Sequence, residues 1–330
     1  MEKNMTVGNP ARIILEFVLP IFLGNLFQQL YSMVDTIIVG KFVGTKALAA
    51  VGATGNINFL ILGFLMGLTA GFTVLTSQRF GAGDLDGMRR SVGTAAILSI
   101  AASIVMTILS MIGMRGLLTL MNTPEDIFDG SYTYIMIICG GIFAQVLYNL
   151  LAGILRALGN SRVPLYFLIF SACMNIVLDL LLILVIPLGV AGAAIATVIS
   201  QGLSGILALI YIVRKVPILH LTRSDWRFDK IIARRELSIG LPMAFQYSIT
   251  AIGSVMVQTA LNGLGSLHVA AFTAASKFDQ LANQFYGAIG VTMATYCAQN
   301  TGARRLDRIR QGFRTATFIT FAYSAVLGIL

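Results

Sequence analysis

Asp35, Asn175, Asp179 and Thr197 stand inside long apolar runs of a 330-residue sequence. Asp35 lies in Tyr31-Ser32-Met33-Val34-Asp35-Thr36, and Asp179 in Asn175-Ile176-Val177-Leu178-Asp179. Asn175 and Asp179 are four positions apart, so on a helix they share one face. Two carboxylates, an amide and a hydroxyl form an oxygen site for Na⁺, or a pair that takes up protons as one coupled unit. Tyr134 offers a phenol to the same layer, or else marks an aromatic belt at a membrane interface. Lys277 and Asp279 sit two apart in a further apolar run, where they line a central cavity or neutralise each other. Glu16 lies near the start of its run and reaches the interface. The bland alternative for each membrane-embedded polar group is a structural hydrogen bond to a neighbouring helix.

The elements that must hold these groups are helices in lipid. The chain is 57% hydrophobic and 11% charged, against about 25% charged residues in soluble domains. Its mean hydropathy is +0.84. In lipid every backbone polar group needs an internal partner, and the long, non-alternating runs read as helices rather than barrel strands. Segments fall at about 13–38, 52–77, 92–113, 132–154, 164–186, 191–213, 237–262, 270–298 and 315–330. Each is compatible with the roughly 20 residues a spanning helix needs. Pro20 lies inside the first and should kink it. Gly63, Gly67 and Gly71 give the second a small-residue face for close helix contact. No cleavable signal peptide is expected. Cys139, Cys173 and Cys297 lie in apolar runs and read as small buried hydrophobes. The two histidines, His220 and His268, are too far apart in sequence to suggest a metal site.

Orientation follows from the basic residues. Nineteen of the 23 fall in alternate loops together with the N-terminus, three (Lys41, Lys46, Arg115) in the others, and Lys277 within a segment. The excess places the N-terminus in the cytoplasm, in a plasma membrane protein. The net charge of +9 is thereby a topology signal with some anionic lipid contact, not a nucleic-acid footprint. Arg156 is counted with the loop residues.

The chain also repeats itself. Gly44, Ala49, Ala50, Gln78, Gly81, Ala82, Leu85, Asp86 and Arg89 return 221 positions later as Gly265, Ala270, Ala271, Gln299, Gly302, Ala303, Leu306, Asp307 and Arg310. Leu19-Pro20 returns as Leu241-Pro242. Six helices separate the restarts, so the copies run parallel about an axis along the membrane normal. The expected organisation is a six-helix lobe (1–213), a polar cytoplasmic linker (214–235) carrying the only tryptophan, Trp226, and a second lobe (236–330). That second lobe holds two helices and part of a third, which suggests a piece of a twelve-helix protein.

These features together resemble the multidrug and toxic compound extrusion (MATE) transporters, in their DinF-like branch. The carriers are Leu19-Pro20 with Asp35, the Gly81-Ala82-Gly83 loop, Ala157-Leu158-Gly159-Asn160, Asn175 with Asp179, Gly189–Thr197, and Gly240-Leu241-Pro242. The resemblance covers the whole chain. It implies an all-α membrane bundle with parallel repeats, alternating access, and export of amphipathic or cationic small molecules in exchange for H⁺ or Na⁺. It assigns the first-lobe cation site to Asp35, Asn175, Asp179 and Thr197, and bending to Pro20. No resident cofactor is implied, and a monomer is expected. The NorM-like branch carries an acidic residue in the seventh helix, whereas Gln246 to Gln258 contains none; that favours coupling in the first lobe.

Two rival readings remain. A flippase for lipid-linked sugars or lipids would need cationic groups in the central cavity, and only Lys277 is evident within a segment. An intramembrane aspartyl protease would use Asp35 and Asp179 as an enzyme, but its Gly-x-Gly-Asp pattern is absent before Asp179.

Overall fold

The computed structural model describes residues 3–262 and 266–329, with some side chains between 255 and 281 excepted. Gly265 lies outside the described residues, as do the side chains of His268, Ala270, Ala271 and Lys277. The described chain is all helix apart from turns and short connections. Its long helices are α1 (Pro10–Ile38), α2 (Thr45–Gly81), α3 (Leu85–Leu120), α4 (Glu125–Gly140) and α5 (Ile142–Ala157). They continue with α6 (Arg162–Leu180), α7 (Val190–Lys215), α8 (Lys230–Asn262), α9 (Ser266–Gly302) and α10 (Leu306–Ile329). Five described helices are long and apolar enough to cross a membrane, and α4 with α5 makes a sixth if counted as one bent span. Ile104, Ile108 and Ile112 form an exposed apolar row along α3; such a stripe is stable in lipid and costly in water.

Local sequence explains the element ends. Asn9 accepts from the Ala11 N–H at 2.9 Å and Pro10 opens the first turn of α1, so the first free N–H groups are capped or missing. Asp84 accepts from the Gly87 N–H at 2.9 Å and starts α3. Gly44, with φ 117°, lets the chain turn between α1 and α2, a conformation that a Cβ would strain. α7 runs to Lys215 and α8 begins at Lys230, with one short helical turn, Pro217–Leu219, between them.

Three details depart from the sequence reading. The segment expected as one helix over 132–154 is two, bent by 47° at Gly141. A Cβ there would overlap Val198 of α7, so the Gly140-Gly141 pair permits both the bend and the close approach. Cys173 is exposed rather than buried, because it lies on the outer face of α6. Single π-helical turns, Val39–Val43 and Leu181–Val185, follow Asp35 and Asp179 respectively. π turns widen a helix locally and recur near functional residues.

The two repeats meet along α2. Its main partner is α8, and the glycine face makes the approach possible. A Cβ on Gly67 would stand 2.6 Å from the Met243 carbonyl oxygen, and one on Gly71 would overlap Gly240. At the end where α1 starts, α2 crosses α9 in a reciprocal contact. A Cβ on Gly81 would meet Gln299, and one on Gly302 would meet Gln78. Residues 78 and 299, and 81 and 302, are both separated by 221, so the crossing obeys the sequence repeat. The N-terminal segment closes over it. The Met5 N–H donates to Gln299 Oε1 at 2.8 Å, Gln299 Nε2 donates to the Ala157 carbonyl at 2.8 Å, and Arg308 donates to the Met5 carbonyl at 3.2 Å. Buried Met5 packs with Ile14, Phe17 and Tyr296. Nearby, Ser91 donates to the buried Glu236 at 2.8 Å, pinning α8 to α3.

Candidate functional site: a carboxyl pair beside a central cavity

Helices α1 and α6 pack side by side and bring Asp35 and Asp179 together. Both are buried, Asp179 completely. Their carboxyl groups lie side by side, close enough to share a proton. The Oδ1 atom of each lacks a hydrogen-bond donor. Two ionised carboxylates in this position would leave buried negative charge uncompensated, which is strongly unfavourable. A shared proton or a bound cation removes that cost. The donor set therefore fits either coupling ion.

Asn175 ties the pair to α7. One orientation of its amide donates Nδ2 to Thr197 Oγ1 at 3.4 Å and turns the amide oxygen toward Asp179. The other donates Nδ2 to Asp179 Oδ2 at 3.2 Å and accepts from the Thr197 N–H at 3.3 Å. Without a cation, the second satisfies more groups. With a cation between amide and carboxylate, the first presents another oxygen ligand. Among the described residues no group of three or more His, Cys, Asp and Glu side chains could hold a metal; an ion here would rely on neutral oxygens as well.

Tyr134 is buried and within electrostatic reach of Asp35, Tyr31 and Asp179. It belongs to this layer. Asp279 is exposed and accepts from Asn283 at 2.9 Å on its own helix, and no contact joins it to the carboxyl pair among the described residues. Lys277 lies outside the residues whose side chains are described. Glu16 pairs with Lys3 and with Arg12 (2.7 Å). Pro20 leaves α1 unbroken, and its ring lines a cavity.

Sequence reasoning missed Tyr31 and Gln201. The Tyr31 phenol sits near both carboxyls and beside the Gln201 amide, and Gln201 in turn lines a central cavity. Both follow the i, i+4 rule that was applied to Asn175: Tyr31 precedes Asp35 by four, and Gln201 follows Thr197 by four.

The cavity has two compartments of about 300 and 380 Å³ between helices of both repeats. Arg156, Tyr247, Gly287 and Val291 line both. Arg156 is thus not a loop residue. It ends α5, and its long side chain is carried back into the bundle. The sequence reading that Lys277 is the one cation available to a cavity is corrected accordingly.

An all-helical bundle with a parallel repeat, a buried carboxyl pair and a drug-sized cavity defines a class of membrane transporter. The sequence model of the family MatE matches residues 20–181 and 241–330, stretches that start 221 positions apart. A probable multidrug resistance protein, YpnP of Bacillus subtilis, is 30% identical over 93% of this chain and 68% of its own length. An FAD transporter of Shewanella oneidensis is 26% identical over 96% of this chain and 73% of its own length. Among solved structures, a multidrug resistance MATE family transporter in an outward-facing conformation superposes with a TM-score of 0.91. It is 24% identical and the match covers 98% of this chain and 72% of that one. The chain belongs to the MATE (MatE) family of transporters.

Proposed function

We propose that this transporter is a secondary antiporter that exports amphipathic small molecules in exchange for H⁺ or Na⁺. The observation that carries this is the buried Asp35–Asp179 pair, whose unsatisfied oxygens need a proton or a cation. The relatives' names, drug resistance and FAD transport, support an organic cargo. The basic-residue bias supports a cytoplasmic N-terminus in the plasma membrane, with residues 1–213 and 236–330 as halves joined by 214–235.

Ion binding neutralises the pair and relaxes the repulsion between α1 and α6. Asn175 transmits the change to α7, and Tyr31 carries it toward Gln201 and the cavity. Cation and substrate then compete because each favours a different arrangement of the same helices. A ligand shifts such an equilibrium only by its differential affinity for the two states. The crossing of α2 and α9 supports a closed end on the side where α1 starts. Proline at position 20 withholds the N–H that would bond the Glu16 carbonyl, so α1 bends there at low cost.

The test is efflux of a fluorescent amphiphile from proteoliposomes under a Na⁺ gradient and a pH gradient imposed separately. Wild type should follow one gradient, and Asp179→Asn should follow neither. Undiminished gradient-driven export by inserted Asp179→Asn protein would refute the reading.

A further inference from the structure

Arg156 lies partly buried between helices at the junction of the two cavity compartments. It has no ion-pair partner among the described residues, and its nearest ionisable neighbours are the phenols of Tyr148 and Tyr247. The Tyr148 hydroxyl donates to the Pro164 carbonyl at 3.1 Å, leaving only its lone pairs for the guanidinium. The rest of the polar wall is neutral: amides, among them Asn25, Gln28, Gln145 and Gln284, together with hydroxyls such as Ser161, Ser77 and Thr295. Among the described residues no carboxylate lines either compartment. Leu165, Leu168 and Met66 supply apolar surface in one, and Met243 and Val291 in the other.

A guanidinium partly withdrawn from water without a counter-charge is costly to maintain. Phenol lone pairs offset part of that cost but carry no charge at neutral pH. The planar fork of five donors matches a carboxylate or phosphate bidentately. A purely cationic guest would meet only like charge here. We propose that Arg156 receives the anionic group of an amphipathic substrate, a carboxylate or phosphate ester, whose apolar body occupies the two compartments. This deepens the antiport reading by assigning the charge of its substrate, and it rests on that reading only for the direction of transport.

The test compares two xanthene dyes of similar shape and opposite charge, carboxyfluorescein and rhodamine 6G. Their equilibrium binding to the full chain in nanodiscs is followed by fluorescence anisotropy at fixed ionic strength. Wild type should bind carboxyfluorescein more tightly. Arg156→Gln should weaken it by about tenfold to a hundredfold, as expected for a lost charge-assisted contact, and leave rhodamine 6G within about threefold. Arg156→Lys should recover part of the loss. Tighter binding of rhodamine 6G by wild type overturns the proposal, whether or not the variants fold. So does an unchanged carboxyfluorescein affinity in folded Arg156→Gln. The measurement needs no gradient, so a dye preference without ion-driven export supports this site while the antiport reading falls. Asp179→Asn should keep the dye preference.

Discussion

Gly302→Ala is the sharpest probe of the α2–α9 crossing. The added Cβ would stand 2.8 Å from the Gln78 carbonyl carbon, with its oxygen closer still, and 3.0 Å from the Ala82 nitrogen. Ordinary contact begins at 3.4 Å, so the helices must part by at least about 0.6 Å against backbone that cannot rotate away. Overpacking of this kind costs about 1–3 kcal/mol. Alanine also favours a helix over glycine by roughly 0.5–1 kcal/mol, but that gain applies whether the crossing is closed or open and cancels. A cost confined to the closed arrangement shifts its equilibrium about 5- to 150-fold. The readout is a cysteine at Ser77, which is buried beneath the crossing and bonded to the Ala157 and Thr295 carbonyls. In a background lacking the three native cysteines, an impermeant thiol reagent is applied from the side where α1 starts. Gly302→Ala should raise the labelling rate within that range, and Gly81→Ala should act alike. The two share one interface, so together they should fall short of additivity. An unchanged rate in well-folded Gly302→Ala protein would refute the argument that this contact closes the end.

Other substitutions separate the parts of the site. Asn175→Ala removes the bridge from Asp179 to Thr197 and should weaken coupling-ion affinity by about 10- to 100-fold, as loss of an orienting partner does elsewhere; the ion dependence of transport reads it directly. Pro20→Ala restores a hydrogen bond to the Glu16 carbonyl and stiffens α1. Turnover should fall while the half-saturating ion concentration stays the same, and a change in ion affinity alone would contradict the hinge. At the α2–α3 turn, the Gly87 N–H and the Arg79 guanidinium hold the Asp84 carboxyl below the usual carboxylate range. The stability this gives is present above the unfolded value and lost as pH falls through the lowered folded one. The melting-temperature gap between wild type and Asp84→Ala should therefore close on acidification, and a gap that widens would refute it.

The carboxyl pair was legible in the sequence because ionisable groups are rare in apolar runs and their spacing fixes a shared face. Asn175 and Asp179 share a face as their four-residue spacing implied, and the packing of α6 against α7 brings Thr197 to them. Tyr31 escaped notice because a tyrosine near a helix end also suits an interface, so its type carries little information. Arg156 escaped for a different reason. A basic residue at a segment boundary reads as a loop charge, and only the packing of α5 against α2 and α7 shows that its side chain faces the cavity. The π turns leave no trace in composition, since Leu181–Val185 is as apolar as the α-helical turns before it. The bend at Gly141 was not read from the adjacent glycines, because the close approach of Val198 that excludes a side chain there is tertiary.

The central claim is that one carboxyl pair links ion and substrate. Linkage is reciprocal, so a substrate gradient alone should drive the coupling ion uphill. Proteoliposomes with equal Na⁺ and pH on both sides are loaded with substrate, and ion movement is recorded on dilution. Wild type should move H⁺ or Na⁺ against its developing gradient, and Asp179→Asn should pass substrate, if at all, with no ion movement. Uphill ion movement of wild-type size in Asp179→Asn would contradict the account.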